Sequence, residues 1–338
     1  MALAAALVAA AGSCRYGGAG HVVTFIVSAL ALAVLARLVG TSTEQLGARL
    51  GSSAAGVVQS ALGNLPELFV ALFALHDGLL GVVQAALVGS ILGNSVLVLG
   101  VAFLVGGLRN GVQRFDSDRA RLVSTLTVLA AATMGVPSLA RAFHTPAAAH
   151  AHTLSLICAG VLLALFVLTL PSFLQTTVEE EHAQPRWSVT LTAAVLGGAA
   201  VGAAFTSDWF VSALTPAIHS LHMSQEFAGL VIVAIAGNAV ENVVGVQLAA
   251  RNQPDFAISV ILNSSLQVAL ALTPVLVFVS LAFTTHLTLV FPTLLALVLV
   301  ISSILGALIV DDGRSTWQEG AVLIGFYVVI ASSFWWGT

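Results

Sequence analysis

Residues 53–75 read SAAGVVQSALGNLPELFVALFAL, and the reading of the whole chain turns on them. The stretch is long and apolar enough to cross a bilayer core, which takes about 20 apolar residues in a helix. Yet Glu67 lies inside it, with Pro66 beside it and Asn64 three positions back. A second stretch, 225–250, reads QEFAGLVIVAIAGNAVENVVGVQLAA and holds Glu241 in the same setting. Gly63-Asn64-Leu65-Pro66-Glu67 and Gly237-Asn238-Ala239-Val240-Glu241 stand 174 residues apart in a chain of 338. The offset persists downstream, where Ser90 maps onto Ser264 and Leu92 onto Leu266.

The composition sets the solvent in which these motifs work. Charged residues make up 8% of the chain and hydrophobic residues 58%. An ordinary soluble domain carries about 25% charged residues. So few charges cannot cover a water-soluble surface, which excludes a soluble enzyme, a nucleic-acid binder and a disordered chain. What remains is an all-α polytopic membrane protein, since helices satisfy their own backbone polar groups in lipid. Cys14 and Cys158 are isolated from each other, so neither a disulfide framework nor a cysteine metal site is expected.

Ten spans can be counted, at 22–40, 53–75, 80–107, 120–143, 152–173, 188–218, 225–250, 256–282, 288–310 and 319–336. The third is long enough to require a tilt or bend. The sixth contains Asp208 and Pro216, which predicts a kink or a partly interfacial position. Residues 1–21 form an N-terminal stub whose apolar run, 2–12, reads as the remnant of an eleventh span. All basic residues are Arg, and alternate loops collect Arg37, Arg49, Arg109, Arg114, Arg119, Arg121, Arg186, Arg251 and Arg314, against Arg15 and Arg141 on the other side. The positive-inside rule places the first set, and the acidic linker 174–187 with Glu179, Glu180 and Glu181, in the cytoplasm of a multi-pass cell-membrane protein. A duplicated unit of five spans is odd-numbered, so its second copy enters with opposite orientation. The expectation is two inverted repeats, 22–173 and 188–338, an architecture that puts transporter sites near the midplane.

The placement of the acids narrows the function. Thirteen of the 15 carboxylates fall in loops or near span ends on these boundaries, and Glu67 and Glu241 do not. An acid at the centre of a membrane helix costs at least about 2.5–3.5 kcal/mol on insertion scales, so such residues default to function. On a continuous helix Asn64 and Glu67 share a face, as do Asn238 and Glu241, Ser90 and Asn94, and Ser264 and Gln267. Pro66 has no N–H, so a helix through it would leave the Leu62 carbonyl open to a ligand. Carboxylates with amide and hydroxyl oxygens suit a hard cation such as Ca²⁺. Gly89 and Gly93 form a GxxxG pair, which reads first as close helix packing, and Ser264 and Ser265 can simply bond back within their helix.

The stretches GNLPELFVALFALHDGLLGVVQAALVGSILGN and GNAVENVVGVQLAARNQPDFAISVILNSSLQVALALTP resemble the two signatures of the calcium/cation antiporter superfamily, cation/proton exchanger branch. The resemblance runs from about residue 22 to the end. It implies ten core helices, Glu67 and Glu241 as the metal- and proton-binding carboxylates, Asn64 and Asn238 as further metal ligands, and Gly63, Gly237, Ser90, Asn94, Ser264 and Gln267 lining the site. It also implies that the first span of each half moves during transport. The chain departs from the pattern at Pro66, where the proton-coupled branch usually has Thr, at Asn242, a common His, and at Asn263, a common Gly. Leu65-Pro66-Glu67 looks like the sodium/calcium exchangers instead.

The expected activity is antiport of Ca²⁺ against H⁺ by alternating access, with Ca²⁺ and H⁺ as substrates and no cofactor. Taking a carboxyl group out of water favours its protonated form, so protons can compete with the metal. Exchange of Na⁺ or K⁺ on the same scaffold is the alternative, and a cation channel is the alternative of another class. An intramembrane enzyme would need a nucleophile or activated water beside the acids, and no Ser-His or Asp-Asp pair in the apolar segments offers one.

Overall fold

The computed structural model describes residues 1–50, 62–176 and 187–337. In chain order the helices are α1 (Ala2–Tyr16), α2 (His21–Leu50), α3 (Leu65–His76), α4 (Leu80–Leu92), α5 (Leu99–Asn110), α6 (Ser117–Ala142), α7 (Ala151–Thr176) and α8 (Val189–Leu221). They continue as α9 (Gln225–Gly237), α10 (Ala239–Ala250), α11 (Pro254–Gln267), α12 (Thr273–Val279), α13 (Thr293–Val310) and α14 (Trp317–Phe334). Eight helical stretches among the described residues are long and apolar enough to cross a membrane, or nine if the bent pair α9–α10 is one span. Of the expected second span, 53–61 lie outside the described residues, and α3, with 12 residues, is too short to cross alone. The acidic linker expected at 174–187 likewise falls largely outside them, at 177–186.

The chain divides into two compact units that interleave in sequence. The first comprises Met1–Asp77, Ala164–His222 and Ala236–Val240. Its body is α2 packed along α8. Phe25 stacks on Phe210 with ring centroids 4.9 Å apart. The stub is a full helix, α1, laid on α2 and α8, with Tyr16 edge-on to Trp209. Thr43 bonds back one turn to the Val39 carbonyl at 2.8 Å, so its hydroxyl needs no outside partner in an apolar setting. The α8 helix is uninterrupted through Pro216. Asp208, expected near a span end, is therefore well inside a helix and half-buried. At 33 residues α8 is about 50 Å long, well beyond a bilayer core of about 30 Å.

The second unit comprises Gly78–Leu163, Met223–Ile235 and Glu241–Thr338. The third expected span is interrupted by a π-helical segment, Gly93–Val98, set between α4 and α5. A second π segment, Val268–Leu272, follows α11 at nearly the same place in the other half. Such segments are rare and gather at functional sites. The α4 helix crosses the π turn Ala228–Val233 of α9 backbone to backbone. A methyl group at Gly89 would collide with the Leu230 carbonyl, and one at Gly229 with the Val82 carbonyl. Gly89 thus takes the packing role expected of it, whereas a methyl group at Gly93 would meet nothing within 4 Å.

The ninth span, expected over 288–310, begins as a helix only at Thr293. Residues 283–292 are non-helical, and side chains of other elements satisfy their backbone. Leu289 N–H donates to Ser155 Oγ at 3.0 Å and Phe291 N–H to Ser138 Oγ at 2.8 Å. Ser138 Oγ in turn donates to the Leu289 carbonyl at 3.0 Å. Gln84 Nε2 donates to the carbonyls of Thr288 at 2.8 Å and Val290 at 3.1 Å. Pro292 lacks an N–H and cannot continue a helix backwards, so hydropathy alone misplaced this boundary. Non-helical backbone that is buried needs other protein groups to complete its bonds, as they do here.

Candidate functional site

Glu67 and Glu241 are not in mid-helix, contrary to the face-sharing expected from sequence. Each stands in the first turn of a helix that starts after a break. The first break is the turn at Gly63–Asn64, and Asn64 is the residue before α3. Pro66 occupies the opening turn, where its missing N–H forfeits no helical bond and its fixed φ favours the helix start. The break therefore precedes Pro66, and it already interrupts the helix that would have linked Leu62 to Pro66. The second break is at Asn238, where α9 and α10 meet at 65°. A carboxylate in a first turn faces the positive end of the helix dipole, an energetic reason for acids at both places.

In the first unit Glu67 is buried, with 7% of its surface exposed. Its Oε1 accepts a hydrogen bond from Asn238 Nδ2 at 2.7 Å, a charge-assisted bond when the carboxylate is ionised. Gly237 makes this approach possible. A Cβ at that position would lie 2.6 Å from Glu67 Cγ, closer than real Cβ contacts come. The structure thus joins Glu67, Gly237 and Asn238, one from the first half and two from the second. The Asn64 carbonyl accepts from Leu68 N–H at 2.9 Å, and its side chain makes no capping bond.

In the second unit a second polar cluster also draws on both halves. Asn94 Nδ2, in the first π segment, donates to Ser264 Oγ of α11 at 2.9 Å, and both side chains are buried. Ser90 is buried one turn before Asn94, and Gln267 is half-buried at the end of α11. The Ile91 carbonyl, just before the π segment, accepts from Ser95 Oγ at 2.6 Å and from Ser265 Oγ at 3.3 Å. Ser265 also bonds back to the Ile261 carbonyl at 3.4 Å, as expected of it. Glu241 is half-buried at the start of α10.

Two residues acquire interest from the structure. The Oδ1 atoms of Asn242 and Asn263 are buried without a hydrogen-bond partner among the described residues. Sequence gives their identity but not the orphaned oxygen. Oxygen ligands of this kind suit a hard cation rather than a soft one. Among the described residues no group of three or more His, Cys, Asp or Glu side chains converges as a metal site.

Comparison with known proteins supplies the family. The model of the sodium/calcium exchanger protein family matches this chain twice, over residues 20–175 and 191–336. The Ca²⁺/H⁺ antiporter ChaA of Bacillus subtilis (strain 168) is 35% identical over 326 residues, covering 92% of each chain. A Ca²⁺/H⁺ antiporter of Synechocystis is 33% identical, over 94% of this chain and 92% of that one. The solved structure described as native YfkE superposes with a TM-score of 0.84 at 31% identity, covering 98% of this chain and 99% of its own.

Proposed function

This chain belongs to the sodium/calcium exchanger protein family, and on that footing we propose that it exchanges Ca²⁺ for H⁺ across the membrane by alternating access, binding the cation with Glu67 and Glu241. It is a multi-pass membrane transporter whose relatives carry Ca²⁺ exchange in their names. The observation that carries the finer reading is the buried Glu67 carboxylate in the opening turn of α3, bonded to Asn238 of the other half. An acid so enclosed is kept for its charge, because an apolar residue would fill the same volume without the desolvation cost.

The mechanism follows from neutralisation. Two bare carboxylates are costly to seal from water, whereas one Ca²⁺ or two protons cancel both charges. Only the loaded protein then changes sides readily, which makes exchange obligatory. Asn64, Asn238, Ser90, Asn94, Ser264 and Gln267 are proposed to supply neutral oxygens that replace water around the ion. The inverted five-helix repeats, the cell-membrane location and the cytoplasmic side of the 174–187 linker complete the proposal.

The test is Ca²⁺ uptake into everted vesicles under an imposed pH gradient or an imposed Na⁺ gradient. Uptake should follow the pH gradient. Uptake that follows Na⁺ and ignores pH would transfer the chain to Na⁺ coupling, the reading that Leu65-Pro66-Glu67 favours. Ca²⁺ flux without proton movement would indicate a channel. Glu67→Gln and Glu241→Gln should each abolish exchange, and an unchanged rate in either removes that carboxylate from the site.

A further inference from the structure

The second unit carries a pair of histidines that the transport reading does not use. His152 lies in the first turn of α7, and His286 in the non-helical segment 283–292. Their ring centroids are 5.4 Å apart and their planes are inclined by 36°. Both side chains are exposed, and neither ring has a hydrogen bond or ion pair among the described residues. We propose that His152 and His286 together form a transition-metal site, taking Zn²⁺, Ni²⁺ or Cu²⁺ and not Ca²⁺.

The spacing of the rings fits one ion between them. With Zn–N bonds of about 2.0–2.1 Å and a tetrahedral angle at the ion, two imidazoles on one Zn²⁺ hold their centroids about 5.2 Å apart. The observed separation is within a few tenths of an ångström of that value. The exposed rings can turn to direct a nitrogen of each at the ion. Water completes the coordination, so the site is weaker than one built from four protein ligands.

The pair is also preorganised. Three residues beyond it, Leu289 N–H bonds to Ser155 Oγ at 3.0 Å, tying the same two elements together. Leu287 N–H, next to His286, bonds to Ser280 Oγ at 2.9 Å. The backbone that carries each ring is therefore fixed relative to the other, and binding need not order a loose loop. Ligand chemistry selects the metal. Imidazole suits Zn, Ni and Cu, whereas Ca²⁺ requires oxygen, so millimolar Ca²⁺ does not compete. The bound ion clamps the start of α7 to the 283–292 segment.

Purified full-length protein is titrated with ZnCl₂ at neutral pH, with bound metal counted after equilibrium dialysis. Wild type should bind one Zn²⁺ more than His152→Ala or His286→Ala. The double variant should lose that same single ion, because either histidine alone binds poorly. His150→Ala should retain it, and the electron paramagnetic spectrum of bound Cu²⁺ should lose nitrogen coupling in either single variant. Unchanged stoichiometry in the variants, or loss of two ions in the double variant, overturns the proposal. All variants should melt and exchange Ca²⁺ as wild type does. The metal count does not depend on transport, so its outcome is independent of the Ca²⁺/H⁺ reading.

Discussion

The two Gly-Asn-x-x-Glu motifs start from nearly the same letters and end in different surroundings. Glu67 is buried and bonded to Asn238, whereas Glu241 is half-buried at the start of α10. Asn238 is buried and donates to a carboxylate, whereas Asn64 is half-buried and makes no capping bond. Gly237 is compressed against Glu67, a constraint the sequence repeat does not reveal. A duplicated motif therefore specifies where the helices break, but its surroundings decide how deeply each acid is buried.

The most demanding way to break this comparison is to shorten each acid. Glu67→Asp withdraws a buried oxygen from Asn238, whereas Glu241 is only half-buried, where water can offset a shortened side chain. Hydrogen bonds to charged groups are worth about 1.5–3 kcal/mol, so Glu67→Asp should lower exchange about tenfold or more beyond Glu241→Asp. Vesicle uptake rates measure it, and equal losses would make the two acids equivalent. Next in size is the asparagine pair. Asn238→Ala should weaken apparent Ca²⁺ affinity by about tenfold, against less than about threefold for Asn64→Ala. Comparable shifts in Ca²⁺ titrations of uptake would show that the Glu67–Asn238 bond does not set affinity.

The smallest effect concerns stability rather than transport, and there the halves should behave alike. Gly89→Ala and Gly229→Ala each drive a methyl group into the backbone of the facing segment. Overpacking of this kind costs about 1–3 kcal/mol, so both should lower the melting temperature of the purified protein. Gly93→Ala, with open space around it, should not. A drop at Gly93 equal to that at Gly89 would mean that the whole GxxxG face, not one crossing point, carries the contact.

Much of the helix inventory was legible in the letters, because apolar length is the dominant signal in lipid. Spans expected at 80–107, 120–143 and 188–218 are close to the helices found. The breaks at Gly63–Asn64 and Asn238 were not, since averaging hydropathy over some 20 residues hides a two-residue turn. The motif residues stand out in the sequence, but as a helix face rather than as a helix start. The π segments left no signal beyond a span too long for its bilayer. The 283–292 segment did leave one: Leu287, Leu289 and Phe291 alternate at a spacing of two and are buried, a strand-like pattern ending at Pro292. The orphaned oxygens of Asn242 and Asn263 belong to tertiary packing, which no single stretch of sequence encodes.

The same non-helical segment bears on how the molecule is made. Its backbone is completed by Gln84, Ser138 and Ser155, all of which leave the ribosome well before residue 283. Synthesis proceeds from the N-terminus at about 5–20 residues per second, so these groups have seconds in hand before the segment emerges. It reaches a receptor that already exists, so its amides find partners as soon as it emerges. Moving the segment earlier in the chain would remove that head start, and biogenesis rather than the finished transporter would then fail.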